Sequence, residues 1–356
     1  MTPYPGFSTE RMDAIFALSS RVGAMCAVEA AVANAQAAAG DIPAEAAESI
    51  AAACSEAVGV EILADGWRVG TPVLGLLDAL RERLPASARE FLHRDLTTQD
   101  VIDTATMVLV VDALRHLDEL ARVAAASSMR AIIERFGDIA TQARSFLQPA
   151  DVTTVGFRTA RWLDQLGGVW NRSPSVPAQL GGLIGDRSGI SDEVANTAAV
   201  ELGLDARRPW HTDRSPIIEV VTIADDYARW ADKVGGDIAQ LVQLGEITTR
   251  AGGSSAAAGK RNPIDAMRAM AAAEVCLGVS TVITHAKPHE LERGLGSWHA
   301  EWFAVPIVFQ TAAAAMEAIG AALSSLEVQP STLVLADDRR VAADAYVASV
   351  LKGTPP

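Results

Sequence analysis

The stretch Ala251-Gly-Gly-Ser-Ser-Ala-Ala-Ala-Gly-Lys-Arg-Asn-Pro263 places two adjacent hydroxyls among small residues and ends in two donors, Lys260 and Asn262. A loop of that composition can move and close over a ligand, and an ammonium beside an amide suits a carboxylate. By composition alone the same loop is an ordinary helix connection. A phosphate-binding loop fits worse, because the glycine spacing is one residue too long and Arg261 stands where a magnesium ion needs Ser or Thr. Metal chemistry has little foothold. Histidines 93, 116, 211, 285, 289 and 299 form no HExxH, no CxxC exists, and His285 and His289 have only Lys287 and Glu290 around them. Neither a metal nor any other cofactor is expected.

Helices must carry these residues. From Asp100 to about Phe136, Met107, Val110, Leu114, Leu117, Ala121 and Ala124 share one face, with Asp100 or Asp103 placed to cap the start. Val220, Ala224, Tyr227, Ala231, Val234, Ile238, Leu241, Gly245 and Thr248 step by four and three, the spacing of a bundle seam. Gly235 and Gly236 inside that run predict close approach of a neighbouring helix. Pro263 suits the first turn of a helix bearing Met267, Met270, Glu274 and Leu277, and Phe309, Ala313, Met316 and Leu323 mark another. Residues 10 to 90 read as shorter helices broken at Gly40 to Pro43, Gly66 to Pro72 and Pro85, and a last helix is expected from Asp337 to Leu351. The class is all-α with strands nearly absent. The divisions expected are an N-terminal helical domain over 1–100, a long-helix bundle over 101–332 and a residual segment over 333–356.

The 356 residues carry 30 Lys and Arg against 44 Asp and Glu, a net charge of −14, which repels nucleic acid and anionic membrane surfaces. An anionic ligand must therefore meet a local basic cluster. The mean hydropathy of +0.18 is high, yet no uncharged run reaches the roughly 18 residues of a bilayer span. No secretory pattern opens the chain, so a cytoplasmic setting is expected. Cys26, Cys54 and Cys276 are widely spaced among Ala and Val and read as reduced thiols in helix packing.

Three segments in order carry a resemblance. The 253–263 loop resembles the Gly-Ser-Ser-x-Met-Pro-x-Lys-x-Asn-Pro signature of the fumarase/aspartase superfamily, matching at Gly253, Ser254, Ser255, Lys260, Asn262 and Pro263. His93-Arg-Asp-Leu-Thr-Thr-Gln-Asp-Val-Ile-Asp-Thr-Ala105 and Ala143-Arg-Ser-Phe-Leu-Gln-Pro-Ala-Asp-Val-Thr-Thr-Val-Gly156 are similar to its two other signature regions. Glu290-Leu-Glu-Arg-Gly-Leu-Gly-Ser-Trp-His-Ala-Glu-Trp302 and Trp210-His-Thr-Asp-Arg214 resemble elements of the bacterial 3-carboxy-cis,cis-muconate cycloisomerases.

The resemblance implies a long helical bundle that tetramerises, with active sites shared between subunits, acting on a small tricarboxylate. It also implies chemistry at the carbon β to a carboxylate, through a carbanion whose charge spreads into that carboxylate and needs fixed donors aimed at it. On this basis Ser255 transfers the proton, Lys260 supports its alkoxide, and His93 binds substrate or orients a partner. Thr97, Thr98, Gln148, Ser254 and Asn262 are implied substrate contacts. Arg214 and Arg293 are implied anion anchors, since guanidinium can bind carboxylate bidentately. Pro149 stands where many superfamily lyases carry a catalytic His, and Ala257, Ala258 and Gly259 replace bulkier loop residues. A carboxylate already ionised at neutral pH needs no proton donor to attack an alkene, which favours a cycloisomerase. The alternatives are a β-elimination lyase on another succinyl-type substrate and a catalytically silent homologue.

Overall fold

The computed structural model describes residues 5–257, 259–285 and 289–354. Ala258 and Lys287, both named above, lie outside the described residues. The helices in the N-terminal part are α1 (Glu10–Ile15), α2 (Leu18–Ala39), α3 (Ala44–Ser55), α4 (Glu61–Val69) and α5 (Val73–Arg83). Next come α6 (Thr98–Glu119), a π-helical segment over Leu120–Ala126, α7 (Ser127–Phe136), strands β1 (Ala140–Ser145) and β2 (Gln148–Thr154), α8 (Val155–Trp170) and α9 (Asp192–Glu201). The remainder is α10 (Ser215–Gln243), β3 (Ile247–Thr248), β4 (Ala251–Gly252), β5 (Asn262–Pro263), α11 (Ile264–Thr284), α12 (Ser297–Ser324), β6 (Glu327–Val328) and α13 (Asp337–Gly353). The fold is all-α, as the periodicities predict.

The seam predicted from Val220 is α10, which packs on both α11 and α12. It ends at Gln243 because Gly245 turns the chain at φ 71°, so Thr248 falls in β3 rather than on the helix. One of its two glycines makes the close approach expected. A Cβ on Gly235 would stand 3.0 Å from Met270 Cγ and 3.2 Å from the Ala266 carbonyl oxygen of α11, whereas one on Gly236 would meet nothing within 4 Å.

Two corrections follow from packing. The 140–154 segment folds as an antiparallel β-hairpin, pairing Ala140 with Thr154 and Ser145 with Gln148 around the positive-φ turn residues Phe146 and Leu147. Its polar, β-branched end (Asp-Val-Thr-Thr) has no apolar helical stripe to bury, so ladder pairing wins. Second, α2, α11 and α12 are long and apolar enough to cross a bilayer by length and composition, since occasional charges do not prevent this. The apolar stretch of α12 is 83% buried inside the bundle, but that of α11 is only 39% buried. Met267, Val275 and Val282 stand exposed along it.

Candidate active site

The start of α6 gathers the first group of side chains. Thr97 is its N-cap in extended conformation, and its peptide N–H donates to Asp100 Oδ2 at 2.9 Å. Asp100 thus caps as the sequence suggests, while Asp103 is put to other use. Asp100 also accepts from the peptide N–H groups of Gly181 (2.7 Å) and Gly182 (3.0 Å), which fixes the 179–182 loop over the helix start. Burial drives its pKa up to about 6, against the pull of those N–H donors.

Arg214 is the clearest departure from the sequence expectation. Buried at the head of α10, its Nη1 and Nη2 donate to Asp103 at 2.7 and 3.1 Å, and Nε and Nη2 donate to Glu301 at 3.1 and 2.5 Å. Nη1 also donates to the His211 carbonyl at 3.1 Å. Burial works against its charge, but Asp103 and Glu301 outweigh that and hold its pKa above the ordinary arginine value. Its donors being spent, Arg214 is a clamp between α6, α10 and α12 and is not an anchor for substrate.

Arg293 is placed differently. It is half-buried, and its Nη2 donates to Thr97 Oγ1 at 2.6 Å and to the Leu183 carbonyl at 3.3 Å, with the guanidinium 6.0 Å from the Trp298 ring centre. Nε and Nη1 have no partner among the described residues. Together with the positive end of α6, this leaves an unspent cationic edge for an anion.

His211 and His289, which sequence reasoning left without a role, are buried beside it. Gln179 Oε1 accepts from the peptide N–H groups of Trp210 and His211, both at 2.8 Å, and that fixes its amide so that Nε2 faces His211 Nδ1 at 3.1 Å. Since the amide nitrogen only donates, Nδ1 accepts and Nε2 carries the hydrogen in the neutral ring. Burial, then the charge of Arg293, pull the pKa of His211 down, so it stays neutral. Its Nε2 is buried without a partner among the described residues. His289 is no exposed helix end. Its Nε2 lies 3.3 Å from Glu301 Oε1, and a Cβ on Gly294 would stand 2.7 Å from its ring, so any side chain there would force the ring to move. The signal for this cluster was the pairing of Trp210-His211 with the 289–302 segment, whose burial the sequence alone does not reveal.

His93 is held at φ 61° with Nδ1 2.6 Å from Oε1 of Glu29, a carboxylate buried on α2 that drew no attention in the sequence. Thr98, half-buried, opens the same helix as Thr97.

The second group lies elsewhere. After α10, strands β4 and β5 pair Ala251 with Pro263 and Gly252 with Asn262, turning the intervening loop into a hairpin. A two-point Arg250–Asp265 ion pair holds its base. Asn262 Nδ2 donates to the Gly253 carbonyl at 3.0 Å, and Ser254 Oγ accepts from the peptide N–H groups of Ala256 (3.3 Å) and Ala257 (3.1 Å). Asn262 and Ser254 thus shape the loop, while Ser255 and Lys260 stand exposed on it. Gln148 is exposed beside the β1–β2 turn, and Arg144 and Arg158 tie that hairpin to Glu246, just past the end of α10.

Within one chain the two groups do not meet. The 29 residues of α10 span about 43 Å, with Arg214 and the Thr97 cluster at its head and the Ser255 loop beyond its tail. His93, Thr97, Thr98, Arg214 and Arg293 are at one end, and Gln148, Ser254, Ser255, Lys260 and Asn262 follow from the other.

A family model described as "Lyase" matches residues 4–278. The chain is a member of the fumarase/aspartase lyase superfamily. Relatives of this superfamily include the 3-carboxy-cis,cis-muconate cycloisomerase of Pseudomonas aeruginosa, 32% identical over 90% of this chain and 74% of its own. The nitrosuccinate lyase of Streptomyces davaonensis is also 32% identical, over 91% and 72%. Among solved structures, the 3-carboxy-cis,cis-muconate lactonizing enzyme of Pseudomonas putida superposes with a TM-score of 0.83 at 28% identity, covering 91% of this chain and 76% of that one. The fumarate lyase of Mesorhizobium sp. BNC1 gives the same TM-score and identity over 95% and 78%. As a lyase-superfamily chain with cycloisomerase relatives, this protein is an enzyme fold whose reaction is read from its site.

Proposed function

We propose that the protein is a cycloisomerase that closes 3-carboxy-cis,cis-muconate to 4-carboxymuconolactone without a cofactor. A substrate carboxylate oxygen forms the new carbon–oxygen bond to the alkene, the electron pair moves into the neighbouring carboxylate, and Ser255 delivers a proton to the α-carbon. Arg293, the Thr97 and Thr98 hydroxyls and the α6 N-terminus receive substrate carboxylates, and Lys260 stabilises the alkoxide left on Ser255 once the loop excludes water. His93 binds or orients substrate, and Gln148 and Asn262 complete its polar contacts. The observation that carries this reading is the Arg293–Thr97 cluster, built from the same 289–302 segment that resembles the cycloisomerases.

Because the two groups lie at opposite ends of α10, the site is completed by neighbouring copies packed antiparallel, as a homotetramer. The apolar face left open on α11 supports that assembly. The second reading is a β-elimination lyase on another succinyl-type acid, favoured by the equally similar nitrosuccinate lyase. Following the ultraviolet absorbance of 3-carboxy-cis,cis-muconate with purified protein separates them. Loss of the diene signal with lactone formation supports the cycloisomerase. Turnover of nitrosuccinate or fumarate adducts alone supports the lyase. A folded oligomer inert to all of them is a silent homologue.

A further inference from the structure

In a chain of net charge −14, one cleft gathers four cations. Arg144 of β1, Arg158 and Arg161 of α8 and Lys233 of α10 line it, and Asp237 is the one carboxylate in its wall among the described residues. Glu246, just past the end of α10, is shared by two of them. Its Oε1 accepts from Arg144 Nη2 at 2.5 Å, and its Oε2 lies 3.6 Å from Arg158 Nη1. The other bonds of that arginine pair go to the neutral Thr141 hydroxyl and Gln142 carbonyl, which leaves one positive charge unmatched. Burial pulls the Arg158 pKa below the ordinary arginine value, and Arg144 adds to the fall while Glu246 opposes it.

Arg161 carries a second unmatched charge. It makes no hydrogen bond or ion pair among the described residues, and Asp164, one turn further along α8, accepts from the Tyr346 hydroxyl at 3.0 Å instead. Asp237 is already spent, because it pairs with Lys233 and accepts from the Trp162 indole Nε1 at 2.8 Å. The cleft has a volume of about 310 Å³, at the lower end of the roughly 300–1,000 Å³ of small-molecule sites. Phe157, Trp162, Leu241 and Leu244 supply apolar wall. Its complement is a short carbon chain bearing two negative groups.

We infer that this cleft binds a small aliphatic dicarboxylate, its carboxylates received by the guanidinium groups of Arg158 and Arg161, three residues apart on α8, and by the Lys233 ammonium on α10. The site is distinct from the one assigned to the reaction. Thr97, Arg214 and Arg293 gather at the head of α10, whereas Lys233 and Asp237 lie in its second half. None of Gln148, Ser254, Ser255, Lys260 and Asn262 lines the cleft.

Labelling the full chain with phenylglyoxal, an arginine-directed reagent, and mapping its peptides by mass spectrometry reads Arg161 by itself. The probe is glutarate, which has no alkene or leaving group to react. At constant ionic strength glutarate is expected to protect Arg161, and glutaramide, its neutral diamide, to need about a tenfold or more higher concentration for the same protection. Inorganic phosphate, which has the charge without the carbon chain, is weaker than glutarate. Lys233→Met, which removes one cation and leaves Asp237 to repel, weakens glutarate several-fold, and Arg293→Met leaves it in place. Arg161 unreactive in the assembled protein, no protection by glutarate, equal protection by glutaramide or phosphate, or a loss caused by Arg293→Met in place of Lys233→Met each overturns the proposal. The comparison of the three ligands on wild type stands whatever the variants do to the fold.

Discussion

Arg293 and Thr97, 196 residues apart in sequence, are joined by a 2.6 Å hydrogen bond from the guanidinium Nη2 to the threonine Oγ1. Because Thr97 Oγ1 accepts there, its own hydrogen is free to donate outward. Guanidinium edge, hydroxyl and the N-terminal end of the 22-residue α6 thus converge on one point. The bond therefore shapes the corner proposed to receive a substrate carboxylate.

Arg293→Met is expected to raise KM about tenfold, the worth of a charge-assisted hydrogen bond to a carboxylate, with the fold kept because the side chain is only half-buried. Steady-state kinetics with circular dichroism checks this. An unchanged KM would remove Arg293 from the substrate contacts.

Ser255→Ala is expected to lower kcat by about a hundredfold or more, as loss of a proton-transfer group does. Refolded together with Arg293→Met subunits and assayed at substrate well below KM, where Arg293→Met is about a tenth as active as wild type, it should give hybrids several-fold more active than the average of the two parents. Random tetramers with sites shared between chains restore roughly a quarter of the sites. Mixtures no more active than the average of their parents would place both residues in the same subunit's site.

Asp100 predicts a pH dependence of stability. Its pKa rises from 3.8 in the ordinary range to about 6 on folding, so the folded chain holds a proton that the unfolded chain releases. Stability from that group is fully present below about pH 4 and is lost as pH rises toward 6, by about 3 kcal/mol. Denaturation of wild type and Asp100→Asn across pH 4 to 7 should show the wild type's advantage shrinking with rising pH. An advantage that grows with pH would reverse the assigned direction.

Arg214→Met leaves Asp103 and Glu301 buried and facing each other without their cation. Breaking a buried ion pair on one side costs about 3–5 kcal/mol. The melting temperature should fall sharply, in contrast to the near-neutral Arg293→Met.

Gly235→Ala pushes a methyl group against Met270 and the Ala266 carbonyl of α11 and should destabilise, whereas Gly236→Ala enters open space and should stabilise by up to about 1 kcal/mol from helix propensity. Paired urea titrations read both signs.

The helices were legible from residue order, since a 3.6-residue period repeats locally and α6, α10, α11 and α12 fall where their stripes do. The hydroxyl loop at Ser254 and Ser255, with Lys260 and Asn262, was legible for the same reason, all of it lying within one short segment. What a charged side chain faces is a different kind of property. Arg214 and Arg293 look equivalent as letters, but one is saturated by Asp103 and Glu301 while the other keeps an open edge, and this depends on partners brought from distant segments. The same holds for Glu29 beneath His93, for Gln179 setting the tautomer of His211, and for the separation of Ser255 from Thr97. Periodicity is written along the chain, whereas pairing, burial and distance arise only when the helices pack.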